Sequence, residues 1–442
     1  MTRRSAICAG ISATLLATLL MAPGAAARRG DPAPAPPDLE RHRELVTGVP
    51  ADAPPQEIPA LRQSVPALDE ARLAARLTSR SDVAAPYLVG AATRADGKAL
   101  WSARSITPVR PASLMKVVTA HTALKTFGPR HRYLTKVRRD SSSPARVYLQ
   151  GSGDPTLSSA RIRALASATA TAQKAEGATR VQVRYDDYLL PLPTNATGWQ
   201  IDDVPTWVAP VRALVRDSRN VRNTSADAAT YFASRLRAHG LTVVDTKRGR
   251  TPSGASTLAT TSSPQLMVIV QDMLRVSQND YAEALLWTSG VKAGAPRTWA
   301  GVTGHSRRLL ARGGVDVSRL DLYDGSGLSR SDRVTAQAMR QLLGAIDRDP
   351  ALTSVIYDSK GMPIAGRTGT LEDRYRTDPT DCAAVRVRAK TGSLSSTTAL
   401  AGRATGTDGK TRSFVFIIDG RTGGAATREQ VDRLATTVTG CW

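Results

Sequence analysis

The chain has 442 residues, a formal charge of +22, and ordinary apolar content at 41% hydrophobic and 5% aromatic. That length holds two or three domains, and that composition excludes a disordered or collagen-like chain. The charge raises nucleic acid as a partner, but it is scattered, with no zinc-finger spacing, basic heptad helix or aromatic-basic pattern, so no nucleic acid is expected.

Residues 1–27 have the form of an export leader. "MTRR" is basic, "ICAGISATLLATLLMAPG" is apolar, and Ala25 and Ala27 form a small-x-small cleavage signal. Arg3-Arg4 fits a twin-arginine route. The apolar run falls short of the ~20 residues that span a bilayer, which favours cleavage near Ala27 over a retained anchor. The mature protein is therefore expected outside the cytoplasm, peripheral to an anionic cell envelope. Cys382 and Cys441 would remain, and an even count in an oxidising compartment suggests a disulfide. Two free thiols are the alternative.

Residues 28–60 are rich in Pro and Ala and are expected to form a linker. Folded structure is expected from residue 61. "LDEARLAARLTSR" has helical spacing, and "PYLVGAATRADGKALWSA" has the pattern of strand, Asp-Gly turn, strand. "PASLMKVVTAHTALKTFG" follows as a helix that Gly128 and Pro129 end. From 131 to 261 the texture changes to short strands with one helix, "ADAATYFASRLRAHG", and this is taken as an inserted region. The main domain, residues 61–130 and 262–442, resumes with a periodic helical stretch interrupted near Ser277. It ends in three strands, "AAVRVRAKTGSL", "TTALAGRA" and "RSFVFIIDG", and a closing helix. A sheet flanked by helices makes the fold class mixed α/β.

Ser113 and Lys116 are three apart, so they share a helix face and the hydroxyl and amine can meet. A bland account is a helix start with a surface lysine. Two further groups argue against it: Ser277-Gln278-Asn279 and Lys390-Thr391-Gly392. Ser-x-x-Lys, Ser-x-Asn and Lys-Thr-Gly in that order match the signature set of penicillin-binding proteins and serine β-lactamases. Arg367-Thr368-Gly369-Thr370 imitates the third group but leads into a charged turn, whereas residues before Lys390 alternate as a strand.

The segments "PASLMKVVTAHTAL", "GSGDPTLS", "VSQNDYAEALL", "DGSGLSR", "AGRTGTLEDRY" and "RAKTGSLSSTTALAG" resemble class C low-molecular-mass penicillin-binding proteins. These are the D-alanyl-D-alanine carboxypeptidases/endopeptidases. The likeness runs from about residue 65 to the C-terminus, and 160 residues separate Lys116 from Ser277, room for a nested insertion. The chain departs from the family where Gln278 replaces an aspartate, and where Arg367 and Thr368 stand in place of smaller or acidic residues.

The resemblance implies a penicillin-binding/serine β-lactamase-like domain with an antiparallel sheet flanked by helices. It implies peptidoglycan stem peptides as substrate and β-lactams as covalent inhibitors, with no cofactor and no metal. Ser113 is the expected nucleophile and Lys116 its base, with a pKa lowered by desolvation and by Lys390 as a nearby cation. Ser277 is expected to relay the proton and Asn279 to position Lys116. Lys390 and Thr391 would grip a terminal carboxylate, Gly392 would leave room for substrate along the strand, and the N–H groups of Ser113 and Ser393 would form the oxyanion hole. In "GWQIDDVPTW", Asp203, with Asp202 as rival, is expected to hold a stem-peptide ammonium. Asp154, Asp324 and Ser326 are expected to be mainly structural. A serine β-lactamase shares the three groups, but the chain has no E-x-x-L-N motif. A non-catalytic wall-binding protein on the same fold is the other alternative.

Overall fold

The structure is a computed structural model that describes residues 66–441. The expected leader, the 28–60 linker and residues 61–65 lie outside the described residues. In chain order, α1 (Glu70–Ser81), β1 (Leu88–Thr93), β2 (Ala99–Ala103) and α2 (Met115–Phe127) come first. Then follow β3 (Leu134–Arg139), β4 (Arg146–Gln150), α3 (Ser159–Ala175), β5 (Arg180–Asp186), the short α4 (Asp203–Thr206), α5 (Thr224–Ala238), β6 (Thr242–Arg248) and β7 (Ser256–Ser262). Helices α6 (Leu266–Val276), α7 (Asn279–Lys292), α8 (Trp299–Arg312), α9 (Ala336–Asp347) and α10 (Pro350–Ile356) precede β8 (Val387–Leu394), β9 (Thr397–Thr405), β10 (Thr411–Asp419) and α11 (Ala425–Val438).

The first sheet is antiparallel in the order β2-β1-β10-β9-β8, so the N-terminal hairpin pairs with the C-terminal one. Alternate residues of a strand face opposite sides. In β10, Val415 and Ile417 enter a core shared with α2, α6, α9 and α10, while Phe414, Phe416 and Ile418 enter one shared with α1 and α11. Covering both faces explains why "SFVFII" is continuously apolar rather than alternating.

Helix α2 runs through the larger core. Every residue from Met115 to Leu124 is buried, Lys116 included. A helix enclosed on all sides holds the turn before it, Ala112–Leu114, in place.

The second sheet uses residues 134–262 and has the order β6-β5-β4-β3-β7. β4 with β5 and β5 with β6 are parallel, and β3 is antiparallel to β4 and β7. The expectation of a single helix here is corrected: α3 and α4 accompany α5. Parallel neighbours require a long crossover, and α3 and α5 supply the two. The Ala- and Thr-rich α3 shows only a weak apolar stripe in sequence, yet Ile162, Leu165 and Ala166 are buried against β5 and α5.

Cys382 and Cys441 are separate thiols lying side by side. Burial, then a hydrogen bond with Cys441, pushes the Cys382 thiol up to about 12.

Candidate active site

Ser113 sits in the tight turn that leads into α2, and Lys116 points back toward it from the first turn of the helix. Lys116 Nζ lies 3.0 Å from Ser113 Oγ, 2.7 Å from Asn279 Oδ1 and 2.8 Å from the Ser326 carbonyl oxygen. Two of these partners can only accept hydrogen bonds. A neutral amine therefore spends its two N–H bonds on Asn279 and Ser326, and its lone pair faces the Ser113 hydroxyl.

Burial lowers the Lys116 pKa to about 8, against the opposing pull of Asp324, Glu283 and Asp280. Lys390 is also fully buried. Burial, then the charge of Lys116, holds it well below its ordinary value. Of the two expected causes, desolvation and Lys390, desolvation is the larger, and Lys390 is not among the charges that act on Lys116. Lys390 Nζ donates to the Thr391 carbonyl at 2.8 Å and approaches Thr391 Oγ1 at 3.4 Å.

Two buried acids, Glu283 and Asp324, build the Lys116 pocket from behind. Glu283, on α7, accepts from Gly325 N–H at 2.9 Å and Ser326 N–H at 2.8 Å. Asp324 accepts from Gly327 and Ser329 N–H at 2.7 Å each, and from Trp199 Nε1–H at 2.8 Å. The segment "DGSGLSR" is thereby pinned so that Ser326 offers its carbonyl to Lys116. Burial, then Asp324, raises Glu283 to about 8 and Asp332 well above its ordinary value.

The nucleophile turn is clamped by two glycines. A Cβ on Gly327 (φ +81°) would meet the Ala112 carbonyl oxygen at 1.9 Å, and one on Gly392 would meet Pro111 O at 3.0 Å and Ala112 Cβ at 3.3 Å. Gly392 therefore also lets β8 pack closely onto this turn. Ala112 itself has φ +47°, a conformation that costs a non-glycine residue about 1–2 kcal/mol. Gly327→Ala is expected to destabilise the fold by about 3 kcal/mol or more, and Gly392→Ala by less, in urea denaturation.

Strand β8 is the free edge of the first sheet. Ala389 N–H bonds outward to Pro363 O, and alternate N–H groups along a strand point the same way. Those of Thr391 and Ser393 therefore point to the open edge. A cavity of about 610 Å³ lies there, lined by Ser113, Ser277, Asn279, Thr391 and Ser393, together with Thr370, Trp207 and Arg330. Ser277, at the break between α6 and α7 with φ +62°, makes no side-chain hydrogen bond among the described residues.

Asp203 is brought near but not into this cavity. Its carboxylate is buried, accepts from Gln200 N–H at 2.7 Å and is ion-paired to Arg330. The expected acceptor of an ammonium already carries a cation, and Arg330 is the member of the pair that reaches the cavity. Sequence reasoning missed Arg330, Trp207, Thr370 and Glu283. Thr370 belongs to the rejected imitation of the third group, and its hydroxyl lies 2.7 Å from that of Thr391. Asp154 is structural as expected from its loop: it is buried and paired with Arg161 at 2.7 Å. Among the described residues, no group of His, Cys, Asp and Glu is arranged to hold a metal, and no helix is long and apolar enough to cross a membrane.

The chain is similar to known proteins along most of its length. The family model described as "D-Ala-D-Ala carboxypeptidase 3 (S13) family" matches residues 72–218 and 214–439. A protein named carboxypeptidase DacB from Mycolicibacterium smegmatis is 32% identical over 377 residues, covering 80% of each chain. A D-alanyl-D-alanine carboxypeptidase from an Actinomadura species is 29% identical, covering 81% of this chain and 84% of that one. The crystal structure of penicillin-binding protein 4 (dacB) from Haemophilus influenzae superposes with a TM-score of 0.73 at 19% identity, over 82% of this chain and 98% of that chain. That likeness establishes the fold, a mixed α/β penicillin-binding domain with an antiparallel sheet flanked by helices, and the chain belongs to the D-Ala-D-Ala carboxypeptidase 3 (S13) family.

Proposed function

We propose that the protein is an exported serine D-Ala-D-Ala carboxypeptidase and/or endopeptidase that acts on peptidoglycan stem peptides. The observation that carries this reading is the Lys116 amine, fully buried and held between the Ser113 hydroxyl and two carbonyl oxygens.

Ser113 Oγ attacks the carbonyl of the penultimate D-alanine as its proton passes to Lys116 Nζ. A serine hydroxyl is a poor nucleophile without such a base. The oxyanion forms against the Ser113 and Ser393 N–H groups, donors of a kind commonly worth ~3 kcal/mol each. Collapse breaks the peptide bond and the leaving amine takes a proton by way of Ser277, which opens onto the same cavity. Water then hydrolyses the ester. The peptide lies along the open edge of β8 as an added strand. Its terminal carboxylate meets the Thr391 and Thr370 hydroxyls, with Lys390 directly behind Thr391. Arg330, oriented by Asp203, is the charge met by the stem-peptide side chain.

The leader-like first 27 residues and the charge of +22 support export and a peripheral place on an anionic envelope. A fluorescent penicillin tests the chemistry. A long-lived covalent adduct on Ser113 by mass spectrometry, absent from Ser113→Ala, is the expected result. No adduct on a folded protein would leave the non-catalytic wall-binding alternative, and rapid turnover of the drug would indicate a β-lactamase.

A further inference from the structure

The cavity at Ser113 is not the largest one. Another, of about 680 Å³, opens between the second sheet and the C-terminal ends of α2 and α7. None of the residues that line the Ser113 cavity lines it. Its rim carries five cations: Arg132, Lys136, Arg250, Lys292 and Arg297. Its one carboxylate, Asp186, already accepts from the Thr251 and Tyr188 N–H groups at 2.9 and 3.1 Å.

Elsewhere in the molecule half-buried arginines find acids; Arg212 and Arg248 share Asp187, the neighbour of Asp186. None of the five rim cations forms an ion pair among the described residues. Arg132 and Arg297 reach only main-chain carbonyls, of Ser263 and Tyr188. Arg250 lies over the Tyr188 ring, 4.5 Å from its centroid. Uncompensated like charges around a concave, low-dielectric wall focus their field on the space inside.

Two further features give the cavity a preference beyond charge. The hydroxyls of Ser152 and Thr251 are buried in its lining without a hydrogen-bond partner. Buried polar groups are normally paired, so both await one. The wall beside them is aromatic: Phe127 and His131 stack at 4.3 Å, and His131 meets Tyr133 edge-on at 4.9 Å. Flat rings, waiting hydroxyls and unpaired cations together suit a sugar ring that bears an anion.

We propose that this cavity is a second, non-catalytic binding site for an acidic saccharide, a sugar carrying a carboxylate or a phosphodiester, within a wall polymer. The ring lies on the aromatic wall, its hydroxyls bond to Ser152 and Thr251, and its anion meets Lys136 and Arg250. Only the polymer's identity rests on the proposed function; the site's chemistry does not. The same protein thus holds the glycan while the Ser113 cleft works on peptide.

The test uses the full mature protein and peptide-free glycan strands, with binding measured by fluorescence polarisation at fixed salt. Lys136→Glu/Arg250→Glu and Tyr188→Ala are compared with a remote charge control, Arg319→Glu/Lys360→Glu, which lines neither cavity. The expected result is saturable binding by the wild type, weakened at least tenfold in both cavity variants and less than about twofold in the control. Loss of binding after removal of phosphodiesters from the glycan identifies phosphate as the anion, and retention identifies carboxylate. Equal loss in cavity and control variants, or no saturable binding by the wild type, overturns the proposal. Penicillin labelling of Ser113 in each variant confirms the fold and reports on the catalytic reading separately from glycan binding.

Discussion

Lys116→Met is expected to slow acylation of Ser113 by about ten-thousand-fold while leaving the protein folded, the upper end of what a general base contributes. Methionine keeps the length and fills the buried channel but has no lone pair basic enough to take a proton. Adding Ser113→Ala to this variant should cost little more, because nucleophile and base act as a unit. The pH profile gives an independent signature. Lysine works as a base only when neutral, and its pKa is lowered to about 8. Acylation by the wild type should therefore rise about tenfold per pH unit below that value and level off above it. The methionine variant should lack the limb altogether. Stability follows the same proton: between about pH 8 and the ordinary lysine value the unfolded chain binds more protons than the folded one, so stability should climb with pH across that window. Stopped-flow labelling and urea melts at several pH values check both.

Glu283→Ala is expected to cost about 3–5 kcal/mol of stability and most of the activity. Its carboxylate is buried and satisfies two main-chain donors, Gly325 and Ser326 N–H. Removing it leaves both unpaired inside the core, and each such loss costs about 1–3 kcal/mol. The same step frees the Ser326 carbonyl from its place 2.8 Å from Lys116 Nζ. With that acceptor gone, the lone pair is no longer steered toward Ser113. Glu283→Gln retains one acceptor and should recover part of the stability but less of the rate. Circular-dichroism melts paired with acylation rates separate the two effects, since a merely structural carboxylate would let the rate follow the folded fraction.

The parts of this site that were legible in the sequence are those held by local geometry. Ser113 and Lys116 meet because a helix turn places them there, β8 shows itself by alternation before Lys390, and β10 by its apolar run. What was illegible depends on contacts distant in sequence. That Gly392 packs against Pro111 and Ala112 cannot be read from the sequence. Nothing in the sequence shows that Lys390, expected to grip a carboxylate, is fully buried. Asp203 looks like an available acceptor until Arg330, 127 residues away, takes it. Glu283 carried a weak signal, an acid set among Ala282, Ala284, Leu285 and Leu286 in α7. Thr370 sat in a motif set aside because it was not on a strand, yet a turn suffices to bring its hydroxyl to Thr391.

The pairing of β1 with β10 has a consequence for how this protein is made. Leu88 meets Ile418, so the first sheet cannot close until nearly the whole chain has appeared. The second sheet needs only residues 134–262 and can assemble early. Ser113, early in the chain, must wait for Lys390 and Ser393 near its end. During synthesis Ser113 therefore has no β8 beside it until nearly all of the chain has emerged.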